Sequence, residues 1–224
     1  DAKQFADARR TLIQEEKKTV TEVLVADDPV TVIISEKGWV RARTGHGHDP
    51  ASFTFKAGDT LYRAFECRTV DTLLAFGSNG RVYSVPVAGL PGARGDGQPV
   101  LTLIELEAGT QLLHYFAGPS QAQLLLSGSG GYGFIAHVGD MISRQRGGKA
   151  FITCNARETV CAPSYIGGTS GSVPVPEATH IACASAGGRL LTFPIGELRT
   201  MPNGGRGLML MSLEDKDVLI GAAA

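Results

Sequence analysis

The sequence predicts an all-β fold assembled from a repeated hairpin unit. The first sign is punctuation: 29 Gly and 11 Pro among 224 residues favour many short strands over long helices. The second is self-similarity. After Pro29, four segments share one shape, an apolar strand, a glycine turn and a second strand: TVIISEKGWVRAR (31–43), TLLAFGSNGRVYSVPV (72–87), QLLLSGSGGYGFIAHV (123–138) and HIACASAGGRLLTFPI (180–195). Their turn glycines, Gly38, Gly80, Gly131 and Gly188, lie 42, 51 and 57 residues apart. Glycine reaches the positive φ that tight hairpin turns demand. A unit of about forty to fifty residues has the length of a four-stranded propeller blade, which cannot bury its apolar face alone and must stack on neighbours.

Taken in chain order, residues 2–22 read as a helix, because Phe5 to Glu22 contains neither Gly nor Pro and Glu15 can pair with Lys18 one turn on. Its apolar stripe is thin (Phe5, Ala8, Leu12, Val20), which suits a connector better than a core element. Asp27-Asp28-Pro29 ends it, so residues 1–28 form a connecting segment and 29–224 the β domain. The paired strands should supply the core through Val32, Ile34, Leu74, Phe76, Leu125, Phe134, Ile181 and Phe193. Pro86 and Pro194 both stand six residues after a turn glycine. Glycine-rich basic loops follow three hairpins: ARGDG (93–97), RQRGGKA (144–150) and NGGRG (203–207). GGTSGSVPVPE (167–177) has the composition of a flexible loop between blades. The tail from Lys216 to Ala224 reads as the first strand of a fifth blade.

Composition narrows the function classes. With 43% hydrophobic and 19% charged residues the chain can pack a core, and no apolar run is long enough to span a bilayer. Cys67, Cys154, Cys161 and Cys183 lack C-x-x-C spacing, and free thiols in a reducing cytoplasm are the expectation. Net charge is −1, yet residues 1–28 hold five Lys/Arg against seven Asp/Glu, while 29–213 hold fifteen against twelve. A nucleic-acid surface needs cations gathered on one face rather than a large total.

Several motifs imitate catalytic or binding signatures. Gly128–Gly133 satisfies G-x-G-x-x-G, but FIAHV follows as a strand where a dinucleotide site needs a helix. His46-x-His48 lacks a third ligand at short spacing, so no metal is expected. Asp59, Glu66 and Asp71 form no evident acid–base pair, and no Ser or Cys is matched to a base; no catalytic residue is expected. Trp39, directly after a turn glycine, reads as a blade-packing residue.

The basic loops carry a different chemistry. Cations spaced to meet phosphates, beside glycines that let a backbone approach closely, suit DNA binding without regard to sequence. The first-rank contacts are Arg94, Arg144, Arg146, Lys149 and Arg206. Lys37, Arg41, Arg43, Arg81, Arg189 and Arg199, on or near the hairpins, form a second rank.

SEKGWVRARTGH (35–46), GRVYSVPVAGLPGARGDGQP (80–99), GYGFIAHVGDMISRQRGGKAFIT (131–153) and GRLLTFPIGELR (188–199) resemble, in order, the C-terminal domain of ParC, the A chain of bacterial topoisomerase IV. RRTLIQEEKKTVTE (9–22) is similar to the helix that joins that domain to the rest of ParC. Gyrase A shares the architecture, but its Q-R-R-G-G-K-G box is missing from the first repeat here; Gln145–Ala150 in the third repeat is a degenerate form. That departure favours the topoisomerase IV branch and implies weaker, less directional wrapping. The resemblance implies a β-pinwheel of about four to five blades that exchange strands, with DNA around the edge. It implies a non-catalytic part of a type II topoisomerase, acting with the remainder of ParC and with the partner protein ParE. ATP and Mg would be bound elsewhere in the holoenzyme, with no cofactor in this domain. The implied location is the bacterial cytoplasm, on the nucleoid. A second reading is a protein-interaction platform that docks a condensin-like chromosome-organising partner.

Overall fold

The computed structural model describes residues 25–170, 173–175 and 179–224. The helix expected over 2–22 lies outside the described residues. Each repeat hairpin forms the centre of an antiparallel sheet, and a later strand returns to flank its first arm. In blade one, β1 (Pro29–Ser35) pairs with β2 (Trp39–Thr44) and with β3 (Leu61–Arg68). Blade two has β4 (Thr72–Gly77), β5 (Arg81–Pro86) and, after the short β6 (Gln98–Pro99), β7 (Leu112–Gly118) against β4. Blade three has β8 (Gln123–Gly128) and β9 (Tyr132–His137). After β10 (Lys149–Ala150), β11 (Ser164–Ser170) pairs with β8 and β12 (Val173–Val175) with β11. Blade four has β13 (His180–Ser185), β14 (Leu190–Pro194) and, after β15 (Leu208–Met209), β16 (Leu219–Ala223) against β13.

Two expectations need correcting here. The tail is not the start of a fifth blade: β16 pairs with β13, Ala182 opposite Ala223, and completes the fourth. The stretch 167–177 is not simply a loop, because β11 runs to Ser170 and β12 pairs back onto it. Both readings failed for the same reason. Pairing with a strand remote in sequence leaves no local signature.

The short strands join the blades. β6 pairs with β2, β10 with β5 and β15 with β9, so each lies in the sheet before the one its neighbours in sequence build. One latch recurs at every exchange: an amide of the donated segment reaches the carbonyl of the receiving turn glycine. Val100 N–H donates to Gly38 O at 2.9 Å, Ile152 to Gly80 at 2.9 Å and Leu210 to Gly131 at 2.8 Å. The seams are too tight for a side chain at one loop position. A Cβ on Gly97, Gly148 or Gly207 would lie 2.2, 2.4 or 2.1 Å from a carbonyl oxygen of the receiving strand. Hence the glycines in the three basic loops. Among the described residues β14 receives no such strand.

Blade stacking explains why β4 and β8 are buried on both faces rather than alternately. Leu73 and Ala75 pack with Val32 and Ile34 of blade one, whereas Leu74 and Phe76 pack with Leu124, Leu126 and Phe134 of blade three. Leu125 turns the other way, toward Ile181 and Cys183 of blade four. Each such side chain, fully withdrawn from water, contributes roughly 1.5–3 kcal/mol. Seven of the eight expected core residues are buried. Phe193 is only half-buried, because β14 is the open edge of its sheet and its neighbours Leu190 and Leu191 are exposed.

The thiols are free, and burial pushes Cys67 up to about 12 and Cys183 to about 11. His114 on β7 is half-buried, its Nε2 3.3 Å from Val160 O. Burial lowers its pKa below the ordinary 6.5, partly opposed by that carbonyl. A depressed imidazole favours the neutral folded form. Its stabilisation is complete above the ordinary value and is lost as pH falls toward the folded-state pKa. His114→Gln should therefore flatten the fall in stability between about pH 7 and pH 5, read from denaturation midpoints.

Candidate nucleic-acid interface

The strand exchange brings each basic loop against the hairpin of the preceding blade, and this creates equivalent clefts on successive seams. At the first seam, Arg41, Ala42 and Arg43 of β2 face Pro91–Asp96 across a cleft of about 940 Å³. At the second, Ser84, Val85 and Pro86 of β5 face Ile142–Arg146 across about 480 Å³. Ala42 and Ser84, each four residues after its turn glycine, hold the two loops in like fashion. Ala42 N–H donates to Pro91 O at 2.8 Å, and the Ser84 hydroxyl donates to Ser143 O at 2.8 Å. At the third seam the corresponding residue is Ile135, whose N–H donates to Arg199 O at 3.1 Å.

The candidate cations divide into two groups. Arg43, Arg94, Arg144 and Arg199 are exposed and hold no side-chain hydrogen bond or ion pair with a described residue. Arg43 and Arg94 share the first cleft, Arg144 lines the second and Arg199 stands at the third seam. Lys37 is exposed in the β1–β2 turn, where its backbone N–H donates to Asp59 at 3.1 Å.

The rest have partners. Arg41 is 6% exposed and donates to Gly95 O at 2.9 Å and Thr54 O at 2.6 Å, with its guanidinium 5.3 Å from the Phe55 ring centre. Arg81 donates to Gly147 O at 3.1 Å and Gly148 O at 3.0 Å. Arg146 donates to Leu103 O and Thr102 O at 3.2 and 2.9 Å. Lys149 donates to Asp140 O, and its ammonium lies 5.2 Å from the Phe151 ring centre. Arg206 pairs with Glu158 at 2.9 Å and stacks 4.2 Å from the Tyr132 ring centre. Arg189 and Glu214 approach to 3.5 Å at an exposed position, where water screens the pair.

The loops recur more strictly than their charges. Counted from the seam glycines Gly97, Gly148 and Gly207, Arg94 stands three residues before, Arg144 four, Arg146 two and Arg206 one, while Lys149 follows directly. Backbone geometry is therefore repeated and cation placement is not. Sequence reading overlooked Arg157, exposed and without a partner among the described residues, because its loop is not glycine-rich. Carboxylates also enter the seams: Asp96 lines the first cleft beside Arg94.

Comparison with known proteins decides the family. The family described as "DNA gyrase C-terminal domain, beta-propeller" matches residues 71–106 and 179–224. The ParC-type chain of DNA topoisomerase 4 from Neisseria gonorrhoeae is 44% identical over 216 residues, 95% of this chain and 27% of that protein. Its namesake from Escherichia coli K12 is 32% identical over 208 residues, 91% of this chain and 26% of its own length. The solved E. coli ParC C-terminal domain superimposes with a TM-score of 0.75 at 28% identity, covering 88% of this chain and 79% of that one. The chain belongs to the family of C-terminal domains shared by ParC and gyrase A. It spans about a quarter of the length of the curated relatives it matches.

Membership in this family agrees with the exchanged strands β6, β10 and β15, the defining feature of the pinwheel expected from the resemblance. The degenerate gyrase-like box, Gln145–Ala150, forms the loop and donated strand of the second seam. The motifs of other families have plain structural roles. Gly128–Gly133 is the β8–β9 hairpin turn, not a helix entry. His46 and His48 each lie against a backbone carbonyl, Cys67 O at 2.8 Å and Thr44 O at 2.9 Å. No group of three His, Cys, Asp or Glu among the described residues could hold a metal. Trp39 is half-buried opposite Pro99 of β6, with the Lys56 ammonium 3.4 Å from its ring centre, so it packs at a blade seam.

Proposed function

We propose that this domain binds duplex DNA around the blade seams and bends it, without catalysing a reaction itself. One observation carries the reading: exposed arginines without a partner among the described residues recur at equivalent seams of consecutive blades, Arg43 and Arg94, then Arg144, then Arg199. A curved duplex following successive seams would meet one cation cluster after another, and its phosphates need no particular base sequence. Family membership supports the same partner. In the whole protein, DNA held here is presented to the remainder of ParC and to ParE for duplex passage, in decatenation and supercoil relaxation. ATP and Mg serve that holoenzyme at sites elsewhere, and the bacterial nucleoid is its place of work.

Titration of this chain with a non-specific duplex at two salt concentrations tests the reading. Binding that weakens steeply as salt rises is expected. Absence of salt-sensitive binding would favour a platform for a condensin-like partner instead.

A further inference from the structure

Arg41 and Arg81 share a placement that their exposed counterparts lack. Each projects from the receiving hairpin beneath the loop donated by the next blade, and each spends its guanidinium on main-chain carbonyls there. Arg41 takes Gly95 O in the first basic loop; Arg81 takes Gly147 O and Gly148 O in the second. Neither has a carboxylate partner among the described residues. The third seam reaches the same end with the polarity reversed: Arg206, on the donated loop, reaches back to Glu158 and Tyr132 of the receiving blade.

We propose that Arg41 and Arg81 are positioning residues for the DNA interface and not phosphate contacts. This rests on the DNA-binding reading. A glycine-rich loop left to itself samples many conformations, and binding would have to order it. Fixing Gly95 fixes the backbone next to Arg94. Fixing Gly147 and Gly148 fixes the backbone that carries Arg144 and Arg146. The loop cations are then presented before DNA arrives. A planar fork with donors on both sides can hold two adjacent carbonyls at once, which a lysine ammonium does less well. The enclosed charges still add to the positive field at the seam, although they touch no phosphate.

Counterion release separates positioning from contact, because only a cation that neutralises a phosphate adds to the salt slope. Arg41→Met and Arg81→Met should weaken non-specific duplex binding about three- to ten-fold, with a log–log salt plot displaced parallel to that of the unsubstituted chain. Amide exchange should quicken at 92–97 in the first variant and at 144–149 in the second, while β4 and β8 keep their protection. Arg81→Lys keeps the charge and should still loosen 144–149. A slope flattened by about 0.9 in either Met variant would overturn the proposal in favour of direct contact. Unchanged affinity beside a loosened loop would also overturn it. If Arg41→Met does not fold, the half-exposed Arg81 carries the test alone. No salt-sensitive binding by the unsubstituted chain would bring down the DNA reading itself, a result distinguishable from either of the others.

Discussion

Gly80→Ala should lower the melting temperature by roughly 10 °C, against roughly 4 °C for Gly188→Ala. Both glycines sit at the same place in their hairpins and have nearly the same backbone, φ +77° and +81°. An L-residue there costs about 1–2 kcal/mol in either case. The surroundings differ. A Cβ on Gly80 would lie 1.8 Å from Ile152 O, in the donated segment that Gly80 O itself holds through Phe151 and Ile152 N–H. On Gly188 the same atom meets nothing within 4 Å, since β14 receives no donated strand among the described residues. Gly80→Ala must therefore also push the second seam apart and leave buried amides without acceptors, at about 1–3 kcal/mol each. Calorimetry of both variants gives the comparison. Equal losses would mean that the seam is not the crowded junction described above.

The same contrast shows which parts of this fold could be read from sequence. The hairpins were legible because an apolar run, a turn glycine and a second run lie within about fifteen residues, and all their determinants are local. β3, β7 and β16 were not, because LYRAFECR, LLHYFAG and LIGAA become strands only by pairing with arms far back in the chain. The two-residue strands β6, β10 and β15 have no period to detect. Their glycine loops were visible as composition, but the carbonyl each glycine must clear belongs to another blade. At the candidate site, sequence separated basic loops from the rest without separating free arginines from engaged ones. Arg94 and Arg41 look alike in a string of letters. One is exposed, and the other is sunk beneath a loop whose binding groups are main-chain carbonyls, which every residue has.

That division leads to the largest expected effect on DNA binding. Replacing Arg43, Arg94 and Arg144 by Gln should flatten the dependence of log affinity on log salt by about 0.9 for each phosphate contact removed, roughly 2.7 for all three. Near 0.1 M salt that amounts to a loss of about two to three orders of magnitude in affinity for any duplex sequence. Stability should stay within about 0.5 kcal/mol of the unsubstituted chain, because these side chains hold no hydrogen bond or ion pair with a described residue that the substitution would break. Arg206→Gln should behave in the opposite sense. It removes the partner of Glu158, whose side chain is only 17% exposed, so stability falls while the salt slope changes little. Melting curves beside a salt series read both quantities on the same samples. A triple variant that binds duplex as tightly as its parent, with an unaltered slope, would place the phosphate path away from these seams. A loss confined to some base sequences would mean that the arginines read base edges rather than the backbone.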